Sequence, residues 1–430
     1  MTVTRCAVAA WSVVSSIALA GGVSCKKADA RHESGGSTGG KPLLIGITSD
    51  SSGQYASSGA EDRRGMQMAI DEANASGGVL GRRVESIPLD TETTPATGSR
   101  VAERLITRDK VAFLAGGVSS GVANAISQVA QKYGVIYLNT NSSSPSESAE
   151  NCHRTKFVFD ANGDNFSRAA VKGAIAKYGK RWLLITNDYV WGRDTAAATR
   201  KLVTDNGGSV VDEILVPQGT RDFSAFLLKA QQQAPEVIAA AVGGDDLKAM
   251  RAQVAQMKLG EKYAWINNQQ DWPDVYGLPR TDLFGVFGTT WYQGLDLPGV
   301  TDFVARYKKA FPAANIKTPG NVFFNGYWSV RILLDAVARA KTTSNRAVIA
   351  ELEKVRIPAH DRLQHHDAWM NPRTHQMQQT IYLATANLKS SDPDALYEIV
   401  SNAAPEAVAD PAAEAKCKLE PLDKTPVYEP

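Results

Sequence analysis

The chain has 430 residues, 43 % of them apolar, and its 47 lysines and arginines against 45 aspartates and glutamates leave a formal net charge of +2. At about 100–200 residues per domain, two domains or more are expected, and ordinary apolar content argues against disorder. The near-balanced charge lacks the clustered basic excess of a nucleic-acid binder, and no apolar run after residue 30 approaches the roughly 20 residues of a membrane helix.

Residues 7–24, AVAAWSVVSSIALAGGVS, carry no charge, with Arg5 before them and Lys26-Lys27 after. This pattern predicts a secretory signal over 1–24. Three cleavage points compete. Ala18-Leu19-Ala20 and Ala28-Asp29-Ala30 fit the small-x-small rule. Gly22-Val23-Ser24-Cys25 resembles a bacterial lipobox, with Gly where that motif prefers Leu, and would make Cys25 a lipidated membrane tether. Without lipid the protein would be free in the periplasm. The Gly/Ser-rich ESGGSTGG (33–40) reads as a leash within a linker over 25–41. Cys6 lies in the leader and Cys25 at the lipobox, which leaves Cys152 and Cys417 in an oxidising compartment. One disulfide joining the C-terminal tail to the body is expected; two unpaired buried thiols are the alternative.

From Lys41 short apolar strands alternate with amphipathic helices. Strands are expected at Leu43–Thr48, Val84–Leu89, Val111–Ala115 and Val135–Asn139, with helices over 59–75, around Val101–Ile106 and over Val122–Tyr133. The pattern then restarts. A helix carries Val171–Tyr178, and strands follow at Trp182–Thr186, Ser209–Val216, Glu236–Val242 and Tyr263–Ile266, separated by helices through Leu202, Phe223–Ala230 and Leu247–Met257. A further strand at Gly285–Thr290 and a long helix near 320–341 complete the lobes, and the Ala/Pro/Glu-rich tail reads as an extended strap. Such alternation predicts an α/β fold of two similar lobes, each a parallel sheet covered on both faces.

Ligands of doubly wound sheets bind beyond the carboxyl ends of the strands. The loops there are polar: Ser49–Ser58, Gly116–Ser120, Asn139–Ser144, Asn187–Gly192, Gly243–Asp246, Asn267–Trp272 and Thr289–Tyr292. Together they predict a crevice of hydroxyls and amides with aromatic walls, Tyr55 and Tyr292 among them. Ser119 and Ser120, in a Gly-rich turn opening a helix, suit a carboxylate or amide cradle; plain serine capping is the structural alternative. Asp245 and Asp246 would meet a ligand ammonium or cap the next helix. Gly117-Val118-Ser119-Ser120-Gly121 also matches G-x-S-x-G, so a serine hydrolase with Ser119 as nucleophile is a rival reading. His360, His365, His366, Asp367 and His375 could bind metal, but no pair has helical spacing. Neither nucleotide-loop motif occurs, and no cofactor is expected.

The stretch LLIGITSDSSGQYASSGAEDRRGMQMAIDEANASGGVLGRRVE, the SSG turn, NTNSSSPSES and NDYVWGRD resemble the type I periplasmic binding proteins, more narrowly the branched-chain amino acid and amide-binding receptors of ABC transporters. The resemblance runs from about Lys41 to Leu388. It implies two Rossmann-like lobes joined by three crossovers, a ligand cleft between them, hinge closure and docking on a permease. The lobes would take 42–160 plus 289–360 and 161–288 plus 361–395, with the strap over 396–430. It implies that Ser119 with Asn141, Ser142 and Ser143 holds a ligand carboxylate and that Trp191 is an aromatic wall. The family's ammonium-binding acid falls near Gln269 or Gln270, so Asp245, Asp246 or Asp271 would have to replace it. Ser58 stands where the family carries an aromatic, for which Tyr55 could compensate. The ligand class therefore stays open among a polar amino acid, an amide or urea, and a small aromatic carboxylate. A monomer serving a permease, without catalysis, is the expectation, and a signalling receptor of the same fold is the alternative.

Overall fold

A computed structural model describes residues 40–429. The expected signal, Cys25 and nearly all of the linker lie outside the described residues.

The first lobe is built on a five-stranded, all-parallel sheet of order β2-β1-β3-β4-β5: β1 Leu43–Ser49, β2 Val84–Asp90, β3 Phe113–Gly116, β4 Tyr137–Asn139 and β5 Lys156–Val158. Helices α1 (Ala56–Ala75), α2 (Pro95–Thr107) and α3 (Ser120–Tyr133) make the crossovers. Helices on both faces explain why β1 is buried without a break from Ile45 to Ser49, on alternate faces alike.

The second lobe holds β6 (Arg181–Asn187), β7 (Ser209–Val216), β8 (Val237–Ala241), β9 (Ala264–Asn267) and β10 (Val286–Thr289), all parallel. Helices α4 (Gly163–Tyr178), α5 (Val190–Asp205), α6 (Ser224–Gln232) and α7 (Gly244–Gln256) flank it, followed by the short turns α8 (Leu259–Lys262) and α9 (Trp272–Val275). The chain then returns to the first lobe as α10 (Val300–Ala310), α11 (Asn321–Ala340) and α12 (Asn345–Leu352). Helix α11 lies against α1 so closely that a Cβ at Gly65 would stand 2.1 Å from the Phe323 carbonyl oxygen.

Two boundaries differ from the expectation. Residues 361–378 do not join the second lobe. They form β12 (Ala368–Met370) and β13 (Met377–Gln378), which with β11 (Arg356–Ile357) make a small antiparallel sheet. That sheet belongs beside β5, where the Val158 amide donates to the His375 carbonyl at 2.8 Å and the His375 ring stacks on Phe157. The third crossing therefore falls between Gln378 and β14 (Ile381–Ala386). Nor is 396–430 a strap throughout. It begins as β15 (Tyr397–Ala403), which pairs antiparallel with β14 and extends the second sheet to seven strands.

Beyond β15 the tail does strap the lobes together. Val408 packs with Phe166 and Ile381 of the second lobe, and Asp410 pairs with Arg168 at 3.2 Å. Cys417 then forms the expected disulfide with Cys152. Past it, Arg154 donates to the Glu420 carbonyl at 2.7 Å, and the Tyr428 hydroxyl to the Val111 carbonyl at 2.6 Å, both on the first lobe. The tail is thus a fourth connection between the lobes.

Candidate ligand-binding cleft

The carboxyl ends of β1, β3 and β4 face those of β6, β8 and β9. Tyr55, Val118, Asn141 and Ser143 of the first lobe and Tyr189, Trp191, Gly243, Gln269, Asp271 and Asp274 of the second enclose a cavity of 20 Å³. That is room for about one water molecule. The lobes touch directly around it. The Tyr55 and Tyr189 hydroxyls hydrogen-bond, Gln54 Nε2 donates to the Gly243 carbonyl at 3.0 Å, the Ser58 hydroxyl to Asp274 at 3.2 Å and the Ser143 hydroxyl to Gln269 Oε1 at 2.6 Å. A solute the size of an amino acid would have to part these bonds and take over their partners.

The turn after β3 is shaped by glycine. Gly117 has φ +104°, and a Cβ there would meet the Tyr137 hydroxyl at 2.4 Å. The turn aims the Val118 and Ser119 amides at Asp50, whose Oδ2 accepts them at 2.8 and 3.2 Å. The cradle expected for a ligand carboxylate is therefore filled by the protein's own carboxylate. Ser119 stands at the N-cap of α3 without a side-chain capping bond and does not line the cavity. Ser120 and Ser142 are also inside the lobe: Ser142 donates to Glu147 at 2.8 Å and lies 2.9 Å from the Ser120 hydroxyl. Asn141 does reach the cavity while donating to Asp62 at 2.8 Å.

On the other side, Gln269 Nε2 lies between two buried carboxylates, 3.0 Å from Asp160 and 3.1 Å from Asp271. Asp271 also accepts from Asn321 at 2.6 Å, and Asp274 from the Gly244 amide at 2.7 Å. Burial, followed by the Asp271 charge, pushes the Asp274 carboxyl up to about 7. Burial also raises Asp271 and raises Asp160 further. The wall opposite is aromatic: the Tyr189 ring centroid lies 6.4 Å from that of Tyr55 and 6.0 Å from that of Trp191. Trp191 is 5 % exposed, and its indole Nε1 has no hydrogen-bond partner.

Of the residues expected at the site, Tyr55, Asn141, Ser143, Trp191 and Gln269 come together. Three others lie away from it. Asp245 pairs with Arg221 at 3.2 Å on the outside of α7, because the first turn of that helix points it outward. Gln270 turns into the second lobe and accepts from Arg251. Tyr292 packs in an aromatic core with Trp272 and Tyr397. Asp246, buried, accepts from Asn187 and the Gly219 amide. The sequence reading missed Tyr189 and Asp274 and named Asp271 only as a substitute. Tyr189 and Asp271 lie in polar loops already singled out, whereas Asp274 sits on a turn that carried no signal.

The hydrolase arrangement is not formed. Ser119 has an ordinary φ of −73°, and each described histidine bonds elsewhere: His153 to Ser127, His375 to Glu353, His365 to Tyr382, His366 to Asn402 and His360 to Asp361. Among the described residues no three metal-type ligands gather, and no helix is long and apolar enough to cross a membrane. A wider groove of 790 Å³ runs along α11, but it lies outside these loops, and two of its arginines are paired, Arg331 with Asp335 and Arg339 with Glu351.

Comparison with known proteins agrees with this architecture. A family model described as periplasmic binding protein matches residues 42–393. A Leu/Ile/Val-binding protein homolog of Brucella melitensis is 25 % identical over 321 residues, covering 72 % of this chain and 82 % of that one. The crystal structure of a periplasmic binding protein from Burkholderia mallei superposes with a TM-score of 0.80 at 24 % identity, covering 87 % of this chain and 98 % of that one. An ABC-transporter solute-binding protein from Rhodopseudomonas palustris BisB5, solved with 3,4-dihydroxybenzoic acid, superposes with a TM-score of 0.76 at 22 % identity, covering 86 % and 99 %. With a family match across most of its length, two lobes and a cleft between them, this chain belongs to the periplasmic binding proteins, a family of solute binders rather than enzymes.

Proposed function

We propose that the protein is the extracytoplasmic receptor of an ABC importer, closing its two lobes on one small polar solute and presenting the closed form to a permease. The observation that carries this reading is the set of direct hydrogen bonds joining the lobes around a polar, aromatic-walled cavity. Each bond is one that a bound solute can replace with its own groups, so occupancy and lobe position are linked. The named relatives support it: one is a Leu/Ile/Val-binding homolog, another an ABC-transporter protein solved with an aromatic acid. In this reading the protein acts as a monomer outside the cytoplasmic membrane, tethered through lipid on Cys25.

A thermal-shift screen of the protein against amino acids, amides, ureas, amines and aromatic acids tests the proposal. A solute at 100 times its dissociation constant stabilises the fold by about 2.7 kcal/mol. A shift with the compound recovered unchanged is the expected outcome. No shift with any class, or chemical conversion of a compound, overturns the reading.

A further inference from the structure

The cavity has an unusual charge. Two of its lining side chains, Asp271 and Asp274, are carboxylates, and none is lysine, arginine or histidine. A third carboxylate, Asp160, stands just behind them through Gln269. The cation whose charge acts on Asp274 is Lys248, which is itself turned to Asp245 at 3.9 Å. Buried like charges are costly to hold together, and a cation placed among them removes that cost. The groups that would receive a ligand carboxylate are meanwhile taken, since the Val118 and Ser119 amides serve Asp50. The indole Nε1 of Trp191 is a buried donor without an acceptor, on a side chain that lines the cavity. One such donor suits a neutral oxygen better than a carboxylate, which needs several donors or a counter-charge. The aromatic wall adds its own preference, because ring faces attract ammonium and guanidinium groups.

We infer that the solute is an organic cation without a carboxylate, its charged nitrogen held by Asp271 and Asp274 against Tyr55, Tyr189 and Trp191, and a neutral oxygen facing the Trp191 indole. This rests on the receptor reading and narrows it. A lone aromatic carboxylate would meet two acids and no counter-charge. A zwitterionic amino acid would satisfy the acids but leave its carboxylate without a cation or a free amide pair.

Matched pairs that differ in charge and little in shape test the inference: leucinamide against leucine, and benzylamine against benzoate, by calorimetric titration. The cationic member of each pair is expected to bind at least tenfold tighter. Asp271→Asn, which can still accept from Asn321, is expected to weaken the cations at least tenfold and to leave the acids unweakened; Asp274→Asn serves if that variant does not fold. Trp191→Phe keeps an aromatic face, though a smaller one, and removes the N–H, so it is expected to weaken leucinamide, which has a carbonyl, more than benzylamine, which has none. Leucine or benzoate binding as tightly as its cationic partner overturns the inference. So does an acid or zwitterion emerging as the best compound of the wider screen, an outcome that leaves the receptor reading standing. If neither the four probes nor the wider screen yields a binder, the receptor reading falls, and the inference with it.

Discussion

Asp274 lies between the two lobes, facing the Ser58 hydroxyl of α1, the Gly244 amide of α7, the neighbouring Asp271 and the charge of Lys248. Burial lifts its carboxyl from the usual 3.8 to about 7. The folded protein therefore keeps a proton that the unfolded chain loses, and stability falls as pH rises across that interval. The ligand-free protein is expected to melt at a higher temperature at pH 5 than at pH 8, with a smaller difference in Asp274→Asn; equal slopes in both proteins would refute the assignment. Residue by residue, the site was only half legible in the sequence. In extended backbone successive side chains point to opposite faces, so of Gln269, Gln270 and Asp271 the first and third reach the cavity and the second enters the lobe. Composition marks such a loop as polar, but the register of its backbone decides which side chain is wet. Asp50 shows the same limit. Its carboxylate occupies the amides of the SSG turn from 68 and 69 residues away in the chain.

Among the elements, α1 and α11 pack backbone against backbone. Gly65 on α1 faces the Phe323 carbonyl, and Gly326 on α11 would bring a Cβ 2.5 Å from the Asp62 carbonyl oxygen. Backbones this close leave no space for a methyl group, so Gly65→Ala is expected to cost about 1–3 kcal/mol by overpacking. A urea midpoint unchanged from the parent would contradict this. The pairing also matters to the cleft: Asp62 accepts from Thr140 and Asn141, and Asn141 Nδ2 lies 3.2 Å from the Val322 carbonyl. At this scale the sequence was most informative where elements are long and periodic. The parallel strands other than β5, and the helices α1 to α7 and α11, fall where the spacing of apolar residues puts them. It was least informative for β5, β12 and β13, of two or three residues each. Such strands are too short to display a period and owe their pairing to neighbours distant in the chain. The antiparallel edge of the second sheet was hidden for a related reason. β15 has the mixed sequence YEIVSNA and is mostly exposed or half-buried, so its place depends on pairing with β14.

The molecule as a whole is two lobes joined by three backbone crossings and a disulfide-pinned tail. The tail is anchored at specific points, Val408 and Asp410 on α4, Cys417 on Cys152, and Glu420 and Tyr428 on the first lobe. Replacing both cysteines by serine is expected to lower unfolding stability by about 2–4 kcal/mol, read by urea unfolding without reductant. A loss no larger than that of a surface substitution would show that the non-covalent contacts of the tail suffice.

The disulfide spans 265 residues of sequence. Every strand of the second lobe, β6 to β10 with β14 and β15, lies inside that span, together with α10, α11 and α12. The covalent structure is therefore a ring carried on the first lobe, with the second lobe wholly within it. A protease that cuts the exposed turn between β14 and β15, where Leu388 is 69 % exposed, opens the ring without releasing a fragment. The severed pieces stay joined through sulfur, and the second lobe keeps both its sheet partners within reach of one another.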